Sequence, residues 1–237
     1  MIEPLLMNNM KRTMTKKRKM PYMNFTKKTL RNFNMNGKIG LVLSHVFVRE
    51  GEDFKWKWIE HSIDKHRELY NNFYIVLSGH GELPPQHIQD KVDVCYWEKR
   101  IREQDIGQGH PHFCLMGYQA CSAAGCEYTL KNRAFDWLEH DEVINCELVF
   151  CSNNTDFSRN WLGDLLIFGN TEEMLDLWSC LPWDYNLTDG LENLYRNLNH
   201  KWDEMWLKNN AVFLSSREMG WMTMNDYKGD GPKYWGE

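Results

Sequence analysis

Short apolar runs and one amphipathic stretch alternate along the first half of the chain. Lys38–Ser44 (KIGLVLS) is an aliphatic run preceded by the turn-former pair Asn36-Gly37, and it predicts a buried strand. Phe54–Tyr70 follows with Trp58, Ile59, Ile63, His66 and Leu69 near a helical period, which predicts an amphipathic helix. Phe73–Leu77 (FYIVL) reads as a second apolar strand. Ser78-Gly79-His80-Gly81 and Pro84-Pro85 then predict a loop. Val92–Trp97 alternates enough for a third strand. Further on, the pattern predicts a helix over Phe113–Ala124 and a strand over Glu127–Asn132. It also predicts strands over Glu147–Ser152 and Leu165–Phe168, and helices over Thr171–Cys180 and Thr188–Asn209. Each of the last two opens on a threonine followed by acids, the pattern of a capped helix start.

Strand, helix, strand, loop, strand is the opening of an α/β fold. The expected architecture is a Rossmann-like, mixed, mostly parallel sheet flanked by helices in a single domain. Crossover connections in such a sheet put ligand loops at the carboxyl ends of the strands. His45–Asp53, Gly79–His87 and Glu98–His112 are the loops so placed. Residues 1–36 are expected to form a basic, flexible arm, 37–228 the folded domain and 229–237 an irregular tail.

Charge sharpens that division. The net charge of −5 conceals an arm in which residues 1–40 hold ten lysines and arginines against Glu3 alone, for +9. The remainder carries −14. A solvated tail is the plain reading of such a run, and attraction to nucleic acid or an anionic membrane is the sharper one. The acidic body argues against a module that binds nucleic acid over its whole surface.

Composition excludes several classes. There is no run of 18 apolar residues and no basic start leading into a long apolar segment, so neither a membrane span nor a secretory signal is expected. Seven cysteines, an odd number scattered through core-like segments, argue against a disulfide framework and for a reducing compartment. A cytoplasmic location is expected, the host cytoplasm for a viral protein. Cys121-x4-Cys126 and Cys146-x4-Cys151 have wider spacing than zinc knuckles and lie in core-like runs. Of His80, His110, His112, His140 and His200, only His200 is retained as a metal candidate.

The richest local chemistry is Glu127–Asp136 (EYTLKNRAFD). A strand emerges with two cations, Lys131 and Arg133, and then a carboxylate, Asp136. Cations suit phosphate oxygens, and a carboxylate suits a divalent ion bridging them. That combination fits a nucleotide diphosphate. The Gly107-Gln108-Gly109-His110-Pro111 loop and Glu98 are placed to line the same pocket, with Ser44 or His45 near the base.

The run Gly117–Asp136 (GYQACSAAGCEYTLKNRAFD) resembles the central motif of small GT-A-type glycosyltransferases, in particular the WavE lipopolysaccharide-synthesis family. Gly125, Glu127, Tyr128, Leu130, Lys131, Arg133 and Asp136 match its pattern. Phe135 departs from it by displacing the acid one residue. Asp164 to Gly169, Thr171-Glu172-Glu173 and Leu177-Trp178 are similar to a second stretch of that family. The resemblance implies a GT-A-like fold and a nucleotide-diphosphate sugar donor used with Mg2+ or Mn2+. It implies Lys131 and Arg133 on the diphosphate and Asp136 on the metal, with Asp141 in reserve. Asp164 would be the base that takes the acceptor proton, with Glu192 second. The acceptor implied is a saccharide; the basic arm suggests a hydroxymethylated base in DNA, as for phage DNA glycosyltransferases. The competing readings are a non-catalytic nucleic-acid-binding module using the arm, and a degenerate transferase fold acting as an interaction protein.

Overall fold

A computed structural model describes residues 37–99, 109–139, 144, 149–152, 166–179, 212–215 and 221–222. In chain order the elements begin with β1 (Ile39–Val48), α1 (Phe54–Leu69), β2 (Phe73–Gly81), α2 (Gln86–Gln89) and β3 (Val94–Glu98). Then come α3 (Gly109–Ala123), β4 (Tyr128–Arg133), β5 (Trp137–Leu138), β6 (Val149–Ser152) and β7 (Leu166–Asn170). α4 (Thr171–Trp178), β8 (Val212–Ser215) and β9 (Trp221–Met222) complete them.

Seven strands form one sheet in the order β3-β2-β1-β4-β7-β6-β8, and β5 pairs with β9 apart from it. β3, β2, β1 and β4 are parallel. β7 is antiparallel to both β4 and β6, and β8 is parallel to β6. The sheet is therefore mixed and mostly parallel, with helices on its faces, as the element pattern predicts.

Both faces of β1 and β2 are covered, which is why these strands read as unbroken apolar runs. Leu41, Leu43, Ile75 and Leu77 pack with Ile59 and Ile63 of α1. The alternate residues Val42 and Val76 pack with Ala120 and Cys121 of α3. Gly117 makes the second contact close, since a Cβ there would overlap a methyl of Val42.

Several boundaries differ from the sequence pattern. Ser78–Gly81, expected as a loop, is strand. Its backbone is paired on both sides, with Ser78, Gly79 and His80 opposite Tyr96, Trp97 and Glu98. Phe47 and Val48 lie opposite His80 and Gly81 on the other side. Two-sided pairing outweighs the turn preference of the residues. Gly81 also needs its glycine, with φ at +100° and a Cβ position occupied by the Val48 carbonyl. α3 starts at Gly109, inside the expected loop, because Pro111 is tolerated in a first helical turn. The cap of α4 is Asn170 rather than Thr171. Asn170 Oδ1 accepts from the Glu172 and Glu173 amides at 3.0 and 3.2 Å. The Thr171 hydroxyl instead meets that of Thr129 at 2.8 Å. The expected helix over 188–209, the arm over 1–36 and the tail over 229–237 lie outside the described residues. Among the described residues no helix is long and apolar enough to cross a membrane.

Candidate functional site

All parallel strands of the sheet end on one edge, and the strand order reverses direction between β1 and β4. Ligands of open α/β sheets bind at such a switch point, outside the carboxyl ends. Here the β1–β4 pairing stops at Ser44 opposite Arg133, while β1 runs on to Val48 beside β2 alone. The two strands therefore part at Ser44 and Arg133. A bulge falls at the same place: Leu43 pairs with Leu77 and Val46 with Gly79, so Ser44 and His45 share the space of Ser78. Bulges next to ligand sites re-aim side chains. The Ser44 hydroxyl is buried and lies 3.3 Å from Cys114 Sγ of α3.

From Arg133 the chain turns tightly, with the Asp136 amide donating to the Arg133 carbonyl at 3.1 Å. Asp136 is only 2% exposed. Its carbonyl accepts from Ser62 Oγ of α1 at 2.7 Å and from Asn132 Nδ2 at 3.2 Å. Asn132 Oδ1 accepts from the Arg133 amide at 2.8 Å. Beyond the turn, Trp137 stacks on Trp58 of α1 with ring centroids 6.1 Å apart. α1 thus serves as the platform for the segment that carries Arg133 and Asp136. Arg133 is half-buried at the edge.

Lys131 is placed differently from its neighbour cation. It is fully buried, its ammonium 5.9 Å from the centre of the Trp178 ring in α4. Trp178 in turn stacks on Tyr118 of α3 at 6.3 Å. Residues 117–136 and 166–178, from the two stretches marked by the sequence, therefore meet in space. β4 pairs with β7, Lys131 opposite Ile167, and the Thr171 amide donates to the Glu127 carbonyl at 3.0 Å.

On the same edge, β2 contributes His80. It is buried between the rings of Phe47 and Phe113, at 4.7 and 5.5 Å, and desolvation lowers its pKa to about 4. Neighbouring Ser78 donates to the Phe113 carbonyl at 3.1 Å. Glu98, at the end of β3, is exposed and lies 3.5 Å from His112 Nε2. Gly109 and His110 open α3 beside them.

No protein-family model and no curated protein sequence matches the chain. The solved structures similar to it include two glycosyltransferases. One is a glycosyltransferase involved in the glycosylation of the major capsid of PBCV-1, at 9% identity and a TM-score of 0.46. That match covers 81% of this chain and 94% of the other. The second is the mannosyltransferase PcManGT from Pyrobaculum calidifontis in complex with GDP-Man and Mn2+, at 12% identity and a TM-score of 0.48. It covers 76% of this chain but 55% of the mannosyltransferase, so the chain spans about half the length of that protein. No residue role follows from similarity at this level.

The structure thus brings Ser44, Glu98, Gly109 and Arg133 to one sheet edge, with Asp136 in the turn that follows, and places Lys131 beneath α4. His45 and His110 are placed by their backbone on β1 and α3. Gly107, Asp141, Asp164, Glu192 and His200 lie outside the described residues. Leu166 begins β7 at the same edge. Ser62, His66 and Asn132 are given no site role by the sequence, and His80 is weighed there only as a metal ligand and not retained. His66 carried one signal, a polar residue on the buried stripe of an amphipathic helix.

Among the described residues no group of three or more His, Cys, Asp or Glu side chains could hold a metal ion. A lone carboxylate at a phosphate site is still a workable donor set for Mg2+ or Mn2+. Such ions use one or two carboxylates and take further ligands from substrate phosphates and water. Asp136, three residues beyond the strand-end cation Arg133, supplies one carboxylate and is 2% exposed.

Proposed function

We propose that this chain transfers a sugar from a nucleotide-diphosphate donor to a hydroxyl acceptor, and that the donor lies across the carboxyl ends of β1 and β4. The observation that carries this reading is the parting of the two strands at Ser44 and Arg133, with Asp136 one turn beyond. Arg133 offers a planar fork of donors for phosphate oxygens. Asp136 would hold Mg2+ or Mn2+ together with the diphosphate; when bound, the ion supplies positive charge against the leaving group. Ser44 and His45, on the bulge, lie on the side of the base. Lys131 is the second cation of the strand, and its burial under Trp178 makes Arg133 the cation that meets the donor directly. Asp164 is the proposed base, with Glu192 second.

The acceptor in this reading is a saccharide. The +9 arm supports a second acceptor, a hydroxymethylated base in DNA, whose phosphates would give salt-dependent binding. A thermal-shift screen of nucleotide-diphosphate sugars with Mn2+ tests the donor class. A donor at a hundred times its Kd stabilises by about 2.7 kcal/mol, which raises Tm by roughly 5 to 10 °C for a chain of this size. No shift with any donor, with or without Mn2+, would count against the proposal.

A further inference from the structure

The turn that carries Arg133 and Asp136 is tied to α1 through a chain of buried hydrogen bonds whose donor and acceptor roles are fixed. His66 is fully buried in α1. Its Nδ1 lies 2.7 Å from the Ser62 carbonyl, which can only accept. Nδ1 therefore carries a hydrogen. Burial lowers the pKa of the ring to about 4, so at neutral pH the imidazole is uncharged and Nε2 is bare. Asn132 Nδ2 approaches that bare nitrogen at 3.2 Å and donates to it. The second hydrogen of the same amide goes to the Asp136 carbonyl at 3.2 Å, and Asn132 Oδ1 accepts from the Arg133 amide at 2.8 Å.

The reverse orientation of the Asn132 amide is excluded by chemistry. It would set Oδ1 against bare Nε2, two acceptors, and Nδ2 against the Arg133 N–H, two donors. His66 thus dictates which way Asn132 faces, and Asn132 holds both ends of the turn. Ser62 completes the device with its own bond to the Asp136 carbonyl at 2.7 Å. Leaving any of these buried groups unpaired costs more than the bond itself contributes.

We infer that His66 and Asn132 are positioning residues: the neutral Nδ1–H form of His66 locks the Asn132 amide and so sets the backbone of the Arg133–Asp136 turn for the donor. The functional part of this inference rests on the donor site proposed above, whereas the locking itself does not. Two variants separate the bond from the packing. His66→Gln offers an acceptor at the reach of Nε2. His66→Asn can keep a donor for the Ser62 carbonyl but is too short to reach Asn132.

The first measurement is 15N NMR of the histidine ring in the unliganded full chain at pH 7, where His66 is expected to be protonated at Nδ1 and bare at Nε2. The second is amide hydrogen exchange at Arg133 without donor. Loss of the lock is expected to speed exchange there about tenfold in His66→Asn, the size of one net hydrogen bond, and to leave His66→Gln near wild type. The third is the affinity for GDP-mannose and UDP-glucose with Mn2+, expected to fall about tenfold in His66→Asn and to be retained in His66→Gln. A packing role alone would weaken both variants alike. Protonation at Nε2 in the wild type, or equal exchange at Arg133 in all three proteins, would overturn the inference. If the ring and exchange results hold while neither nucleotide sugar binds the wild type, the lock stands and the donor assignment fails.

Discussion

An Asp136→Asn protein is expected to lose nucleotide-sugar turnover by more than about a hundredfold, since even the outer partners of a metal ligand cost roughly 10- to 100-fold when removed. The change keeps the shape of the side chain and removes its charge, which is the property a hard divalent ion needs. The bonds from Ser62 and Asn132 to the Asp136 carbonyl are kept in this variant. Arg133→Ala is expected to weaken donor binding about 10- to 100-fold, the loss of a charge-assisted hydrogen bond of about 1.5 to 3 kcal/mol. Arg133→Lys should fall between, since it keeps the charge and loses the fork. Steady-state kinetics with Mn2+ and a titration of donor binding distinguish these effects. Retention of full turnover in both Asp136→Asn and Arg133→Ala would remove the basis of the assignment.

The second large effect is on stability against pH. His66 has a pKa of about 4 in the folded protein, lowered by burial from an ordinary value of 6.5. The unfolded chain therefore binds a proton at His66 across the window from pH 6.5 down to about 4, and the folded chain does not. Stability falls as pH falls through that window, by about 3 kcal/mol from this one residue between pH 7 and pH 4. His80 acts in the same direction, since its folded pKa is also about 4. Urea unfolding at pH 7 and near pH 4 in wild type and His66→Gln isolates the His66 share from the carboxylates, which are common to both. The wild type is expected to lose about 3 kcal/mol more than the variant on acidification. Equal losses would mean that His66 is not buried and neutral in the folded protein.

How much of this was legible in the sequence depends on how local each feature is. β1, α1 and the first half of β2 follow from runs of apolar residues, because both sheet faces are covered and α1 buries a stripe. The end of β2 was hidden, since Ser78–Gly81 has the composition of a turn and is strand only through its two neighbours. Arg133 and Asp136 were legible as charges leaving a strand. Their neighbour Lys131 was legible as a cation but not as a buried one, because that depends on Trp178, which packs over it from α4. The bulge at Ser44 and His45 depends on register with β2, which no local pattern carries. The Ser62–His66–Asn132 chain joins residues of α1 to a turn some seventy positions later. It becomes visible only when β1 and β4 pair and bring that turn over α1.

In the proposed reading a metal–diphosphate binds where β1 and β4 part. Paramagnetic broadening of backbone amides by Mn2+, added with GDP or UDP to 15N-labelled protein, tests it most directly. The Ser44, Arg133 and Asp136 amide signals are expected to be lost only when nucleotide and Mn2+ are both present. Ile39 and Tyr128, paired at the other end of the same strands, lie about 16 Å away at 3.3 Å per residue and should broaden far less. Broadening centred on Ile39 and Tyr128, or none that requires the nucleotide, would contradict it.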